Sequence, residues 1–448
     1  MPALVAALRL WRLLGPGAGP AQNGTLRGRG PTGDPGPGPP RDRPPFWWDL
    51  TEPTDSDAHS EYRANLRQWY NGLQLDWMVA MHQGGLREKM VLFWHNHLVT
   101  QGPRYSYNAP LAYNYLETLR RNALGNFRTL VREMGLTPAM LLYLDGARNT
   151  QTAPNENYAR EVMELFTLGL GEYSQQDIAE AARALTGYTV DVKNLQVHFD
   201  PQRFDDGEKT FLGRTGRFTY DDVVDIIFTE RAEAVAHHIA TKLFRFFVYE
   251  TPKIRVIKEI KEELLAADFE IAPVLQALLG SVHFFNGEYV GAQIKSPVEL
   301  LHGLYFHGDK MPTDQDNTIR RAANLDQDLL NPPNVAGWPG HRAWISTQTF
   351  PRHWSYGRSF IYDQKAGRPD IVALAQKMPA PHDPTRLALD LAHFWLAVDL
   401  PQNELDKLPQ IMLDDLPEDE WNIAHSGTTN KLLAYFNYIV ELPEYQLN

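Results

Sequence analysis

The stretch Asn155–Gly169, NENYAREVMELFTLG, decides how the rest of the chain is read. Asn155, directly after Pro154, offers a side-chain oxygen to the unpaired N–H groups of a helix start, and Glu156 suits the positive end of the helix dipole. Asn157, Arg160, Glu161 and Glu164 then recur at helix spacing as one polar stripe, with Tyr158, Val162, Met163, Leu165 and Phe166 on the other sides. That apolar arc is wider than a surface helix needs. One continuous, central helix is therefore expected, its stripe facing a narrow strip of solvent or an internal polar cavity. Burying the stripe unpaired costs several kcal/mol per ion. Arg160 offsets one carboxylate only, so another needs a cation, a proton or a metal. Glu161 and Glu164 suit a hard divalent metal ion or an acid–base pair with separated pKa values. The plainer reading is a solvated or arginine-paired face.

Outward from this helix the punctuation stays helical. Thr137 before Pro138 reads as an N-cap with proline in the first turn, Ser174 with Asp177 as a capping box, and Ser296 with Glu299 as a second. Gly187 stops the helix carrying Ala179–Leu185. Tyr188, Val190 and Val192, then Leu195, Val197 and Phe199, alternate with polar residues around Lys193 and Asn194, which predicts a hairpin. Helical spacing returns at Asp221–Phe228, Ala232–Phe247, Val256–Ala267, Val274–Leu279 and Val298–Phe306. After a Gly/Pro loop from Pro332 to Gly340, shorter helices are expected at Trp354–Tyr362, Thr385–Ala397 and Lys431–Val440.

The fold class is thus mainly α, one large single-core helical domain from Phe46 to Asn448 with a small β-hairpin. Gly15–Pro45 is more than half Gly and Pro with almost no large apolar side chain, so residues 1–45 read as a disordered leader. Ala3–Leu14 is apolar but interrupted by Arg9 and Arg12, too short to span a bilayer and unlike a convincing signal peptide. No other run reaches the roughly 18 apolar residues of a membrane span. A soluble protein is expected, with export to the periplasm and retention in the cytoplasm both open.

Composition narrows the chemistry. The 448 residues carry 43 Lys and Arg against 55 Asp and Glu, a formal charge of −12, with 43% hydrophobic residues. No basic run with interleaved aromatics appears, which argues against nucleic acid as a partner. The absence of cysteine removes disulfides, zinc fingers and thiol catalysis together.

Phe93-Trp94-His95-Asn96-His97 brings two histidines. On a strand they would point the same way and share an ion; on a helix starting near Gly84 and Gly85 they point about 200° apart. Each then sits on an apolar face, as a core histidine or as a ligand or acid–base group. Arg183 is placed to clamp a helix carboxylate with its bidentate fork. Asp145 is expected to pair with Arg148 or a distant cation, Ser296 to act as a cap and as a nucleophile only if a base lies beside it, and His237 and His238 to be structural. Asp205 and Asp206 occupy a turn at Gly207, from which a carboxylate can reach a cavity or ion. Trp338 and Trp344 bracket a stiff loop with Asn334 and His341, suited to stacking on a sugar, docking a partner or capping the core.

These residues resemble the bacterial DUF 1800 family (domain of unknown function). The resemblance rests on Phe93–His97, Asn155–Gly169, Ala182-Arg183-Ala184-Leu185-Thr186-Gly187, Lys295-Ser296-Pro297-Val298-Glu299, Pro332–Gly340 and the ending Leu442–Leu447. It implies no reaction. It does imply an exported partner resembling the alkaline phosphatase and sulfatase superfamily, beside which members are commonly encoded. Two departures stand out: Phe204 occupies a position usually held by His, ahead of Asp205 and Lys209, and His341 stands where a second Gly is frequent.

Two functions are expected from this reading. The first is a hydrolase-type enzyme that combines Glu161, Glu164, Arg183 and Asp205 with His95 or His97. In it Asn157 and Arg160 bind ligand, and Glu161, Glu164 and His95 are the ligands for a divalent metal. The second is a non-catalytic assembly subunit that presents Asn334, Trp338 and Trp344 to a polysaccharide or a partner protein. Long polar motifs on distant segments favour the enzyme.

Overall fold

Ser56–His97 forms a single helix, α1, of 42 residues, bent at Gly85. Gly85 has φ 54° and ψ −134°, a conformation that a side chain's Cβ makes costly, so glycine both permits and locates the bend. The helix expected to start at Gly84 is thus the second arm of a longer one. These coordinates come from a computed structural model, which describes residues 56–308, 310, 315–362 and 370–448. The leader at residues 1–45, including Ala3–Leu14, lies outside the described residues.

After α1 come α2 (Ala109–Asn122), α3 (Phe127–Gly135), α4 (Pro138–Tyr143), α5 (Glu156–Glu161) and α6 (Gln175–Ala184). Two hairpins follow. Strand β1 (Tyr188–Asp191) pairs antiparallel with β2 (Gln196–Phe199), Tyr188 opposite Phe199, at the expected place. Strands β3 (Lys209–Phe211) and β4 (Arg214–Gly216) form another, joined by Leu212 and Gly213, both at positive φ as a tight two-residue turn requires. Three-residue strands are too short to show alternation, which is why the sequence pattern hides this second hairpin.

The rest is helical: α7 (Tyr220–Glu230), α8 (Ala232–Phe247), α9 (Ile254–Ala266), α10 (Ile271–Leu279), α11 (Pro297–His307), α12 (Gln315–Asn324), α13 (Thr349–Tyr362), α14 (Ile371–Gln376), α15 (Pro384–Trp395), α16 (Gln402–Leu405), α17 (Leu408–Leu413) and α18 (Ser426–Glu441). The capping boxes at Ser174/Asp177 and Ser296/Glu299 are both formed, and Thr137 accepts from the Met140 N–H. Helix α1 packs on α2, α8 on α9, α15 on α17 and α13 on α18. The buried apolar side chains of these elements make one contiguous cluster, with Trp77, Trp94, Tyr115, Phe127, Phe166 and Trp395 among its largest members. The chain's end is tied in by the Lys295 N–H, which donates to the Gln446 carbonyl (2.8 Å), and by the Lys295 ammonium, which donates to the Tyr445 carbonyl (2.6 Å). Among the described residues no helix is long and apolar enough to cross a membrane.

Gly85→Ala is expected to lower unfolding free energy by about 1–3 kcal/mol, the usual cost of forcing a side chain into such a conformation. Urea denaturation of the variant checks this; an unchanged midpoint would mean that the bend does not depend on glycine.

Candidate functional site

The last turn of α1 sends four consecutive side chains to four different parts of the chain. Trp94 Nε1–H donates to the Ala123 carbonyl at the end of α2 (2.9 Å). Asn96 grips the backbone of Trp338, its Oδ1 accepting from the Trp338 N–H (2.6 Å) and its Nδ2 donating to the Trp338 carbonyl (3.3 Å). That grip needs Gly337: at φ +83° its backbone lies so close that an added Cβ would sit 2.3 Å from Asn96 Oδ1.

The two histidines face apart, as the helical reading requires. The Leu330 N–H donates to His95 Nε2 (3.1 Å), which fixes the proton on Nδ1, and Nδ1–H donates to the Tyr115 hydroxyl (2.9 Å). Tyr115 passes its own proton to the Leu98 carbonyl (2.8 Å). Both ring nitrogens of His95 are committed, the residue is 0% exposed, and burial pushes its pKa down to about 3. His97 Nε2–H donates to the Phe166 carbonyl (2.9 Å) and leaves Nδ1 buried without a partner. Burial, aided by Lys242 and His238, holds its pKa well below the usual value.

That carbonyl is free because the Asn155 helix ends at Thr167, and the helix is not regular. Asn155 caps it as expected, its side chain accepting from the Asn157 N–H (2.9 Å), but after Glu161 the chain widens into a π-helical turn at Val162–Thr167. The Leu168 N–H reaches back five residues to the Met163 carbonyl (2.8 Å), and Thr167 Oγ1 donates to the Val162 carbonyl (2.5 Å). The Leu165 carbonyl accepts from His238 Nε2 (3.0 Å). The widening breaks the expected single stripe. Asn157 Nδ2 donates to the Leu144 carbonyl (3.3 Å), while Arg160 turns to Glu156 (3.2 Å) and Gln175 (3.2 Å) rather than to either later carboxylate. Glu164 accepts from the Tyr173 hydroxyl (2.6 Å). Half-buried Glu161 has no hydrogen-bond or ion-pair partner among the described residues. Burial first, and the neighbouring Glu164 second, raise its pKa.

Arg183 lies elsewhere. Its fork holds Asp205, with Nε to Oδ2 at 2.7 Å and Nη2 to Oδ1 at 3.2 Å, and Nη1 takes Glu180 (2.7 Å). Arg183 keeps the Asp205 carboxyl below its usual pKa range. The wholly buried Lys209 donates to the carbonyls of Asp205 (2.5 Å) and Gly207 (2.9 Å), so the turn is closed from both sides. Phe204 packs edge-on against Phe199 at 5.3 Å between ring centres. The tryptophan loop folds inward: Trp338 and Trp344 are 5% and 6% exposed, and Asn334 accepts from the Ala336 N–H within the loop. His341 carries φ +50°, the conformation that makes glycine natural at that place.

The candidate catalytic residues His95, Glu161, Glu164, Arg183 and Asp205 therefore fall into three groups: His95 with Tyr115 and Trp338, Glu161 with Glu164 and Tyr173, and Arg183 with Asp205. Among the described residues no hydrogen bond joins one group to another. The donor set Glu161, Glu164 and His95 does not fit a metal, since His95 has no free nitrogen, and among the described residues no three His, Asp or Glu side chains gather around a point that could hold an ion. Sequence reasoning missed a cavity of about 820 Å³ lined by Lys89, Lys295, Val298, Glu299 and His302 among others. Its one signal was the motif Lys295–Glu299, three of whose residues line the wall.

The family described as protein of unknown function (DUF1800) matches residues 21–447, nearly the whole chain, and the chain belongs to it. No curated protein and no solved structure matches.

The buried histidines make stability fall in acid. His95 and His238 are pushed down to about 3 and about 4 by burial, against 6.5 when exposed. A neutral group whose folded pKa is depressed contributes in full above the unfolded pKa, and loses that contribution as the pH falls from there towards the folded value. His95→Gln should flatten the dependence of unfolding free energy on pH by about 1.4 kcal/mol per pH unit between roughly pH 6 and 4. Urea melts across that range check it; parallel curves for variant and parent would show that His95 is protonated in the folded state.

Proposed function

We propose that the chain is a hydrolase-type enzyme whose acid–base pair is Glu161 and Glu164, with His95 confined to holding the fold. The observation that carries this reading is Glu161: a half-buried carboxyl beside a second carboxylate, raised in pKa by burial and by Glu164 although Arg160 opposes the rise, and without an ion pair among the described residues. A purely structural carboxylate in that position would be expected to hold an arginine, and the nearest in sequence, Arg160, is spent on Glu156. Two carboxyls in unlike surroundings are the arrangement that lets one act as acid while the other acts as base. Glu161, inclined to keep its proton, would protonate a leaving group. Glu164, oriented by the Tyr173 hydroxyl, would take a proton from the attacking water. The π-helical turn supports the reading too, since such turns recur at functional sites. A binding subunit that presents the tryptophan loop has less support, because Trp338 and Trp344 are packed into the protein.

Glu161→Gln and Glu164→Gln test this. If the carboxylates serve chemistry, each variant keeps or gains stability at neutral pH, and for Glu161→Gln the gain disappears on acidification below its ordinary value of 4.5. Among chromogenic glycosides, esters and amides at least one should be hydrolysed, and both variants should lose roughly 10²–10⁴ of that rate. Losses of about 3–5 kcal/mol in both variants would mark a structural pair, and unchanged hydrolysis would remove the enzyme reading.

A further inference from the structure

A cavity of about 820 Å³ opens between the second arm of α1, the end of α8, α11 and α15, and neither the Glu161–Glu164 pair nor the tryptophan loop lines it. Its volume falls inside the roughly 300–1,000 Å³ of small-molecule sites. Leu92, Phe246, Val298, Phe306, Phe394 and Leu405 give it an apolar wall, so water alone is a poor occupant.

The charged groups on the wall are each engaged by the protein itself. Lys89 pairs with Glu299, whose other oxygen closes the capping box on the Ser296 N–H (2.8 Å). Arg120 forks onto Glu88 through Nε (2.5 Å) and Nη2 (3.1 Å). The Lys295 ammonium donates to the Tyr445 carbonyl and lies 4.3 Å from the centre of that ring. Arg386 Nε holds Asp390 Oδ1 at 3.0 Å, and His393 stands 4.0 Å from Asp399. Two atoms of the lining residues have no partner, His302 Nε2 and Asp390 Oδ2, but both are sealed off from the cavity by the atoms around them. Burial holds His302 neutral, its pKa pushed down to about 4. A charged ligand would therefore have to break a pair or go unanswered in an apolar space, whereas an uncharged one disturbs nothing.

Gly303 points to why the space is there. It sits inside α11 on the cavity wall, where glycine weakens a helix, and beyond its own helix a Cβ built on it would meet only the Tyr445 hydroxyl oxygen, at 4.0 Å. Neither a close neighbour nor a positive φ calls for glycine at this place. A larger side chain would strengthen the helix and fill the void, and both effects stabilise. A position that forgoes both gains fits a space kept for a ligand. Gly85, where α1 bends, lines the same cavity. We propose that this cavity binds an uncharged, largely apolar small molecule, and that Gly303 keeps room for it. The site is separate from the carboxylate pair, and it stands whether or not the chain hydrolyses anything.

The uncharged apolar fluorophore N-phenyl-1-naphthylamine tests this on the full chain. Saturable binding is expected, with displacement by methyl octanoate and at least tenfold weaker displacement by octanoate and octylamine, charged molecules of the same chain length. Gly303→Ala should raise the melting temperature, and Gly303→Leu should weaken fluorophore binding at least tenfold. Leu405→Trp crowds the cavity from α16 and should weaken binding as well, a check that does not depend on α11. The proposal is overturned if the fluorophore does not bind saturably, if either charged competitor displaces it as well as the ester does, or if either crowding variant, folded by circular dichroism, binds it unchanged. A lower melting temperature for Gly303→Ala would show that packing requires the glycine and would overturn its assigned role.

Discussion

A buried backbone N–H or C=O must find a partner, and in this fold the end of α1 supplies partners to loops that have none. Ala123, Leu330, Trp338 and Phe166 lie in four separate segments, and each places a backbone group against a side chain from Trp94–His97. A helix end suits this task, because consecutive side chains radiate in different directions from one fixed axis. The price is two histidines held neutral inside the core, with pKa values far below their usual value.

The same logic runs through the other motifs. Asn149 donates to the Ala182 carbonyl (2.8 Å), while its Oδ1 accepts from the Asn155 N–H (2.8 Å), which ties the end of α6 to the cap of α5. Thr186 Oγ1 accepts from the Asp205 N–H (2.8 Å), and the Gln327 side chain accepts from the Val298 N–H (2.9 Å). Polar residues that read as chemistry in the sequence are here largely joints between distant pieces of backbone. Function has to be sought in what these joints leave over. Among the described residues Glu161 forms no hydrogen bond or ion pair, and the buried His302 Nε2 and Asp390 Oδ2 have no hydrogen-bond partner.

Local signals were well legible in the sequence. Capping boxes, the proline at the start of α4 and α11, and the hairpin at Lys193 depend on residues within a few positions of one another, so their chemistry is written in order along the chain. The helical placement of His95 and His97 followed from spacing in the same way. The π-helical turn did not, since one residue more per turn barely disturbs apolar periodicity over six residues. Nor did the partner of Arg183, expected on the Asn155 helix and found at Asp205, because a long fork can reach any acid that tertiary packing brings near. The cavity was the least legible feature of all. Its wall draws on α1, α8, α11 and α15, and no stretch of sequence records which residues those helices leave uncovered together.

The π-helical turn joins the two halves of the structure. In a regular helix Glu161 and Glu164, three positions apart, stand one above the other on a common face. Here Glu164 lies within the wider turn and accepts from the Tyr173 hydroxyl, while Glu161, on the α-helical side, has no donor among the described residues. The Leu165 and Phe166 carbonyls stand in the last turn before the helix ends at Thr167, where no later helical N–H reaches them, and His238 and His97 donate to them instead. The histidine at the end of α1 thus bears on the carboxylates without touching them. By anchoring the end of the helix that carries both, it bears on two carboxyls in unlike surroundings, the condition under which one can give a proton while the other takes one.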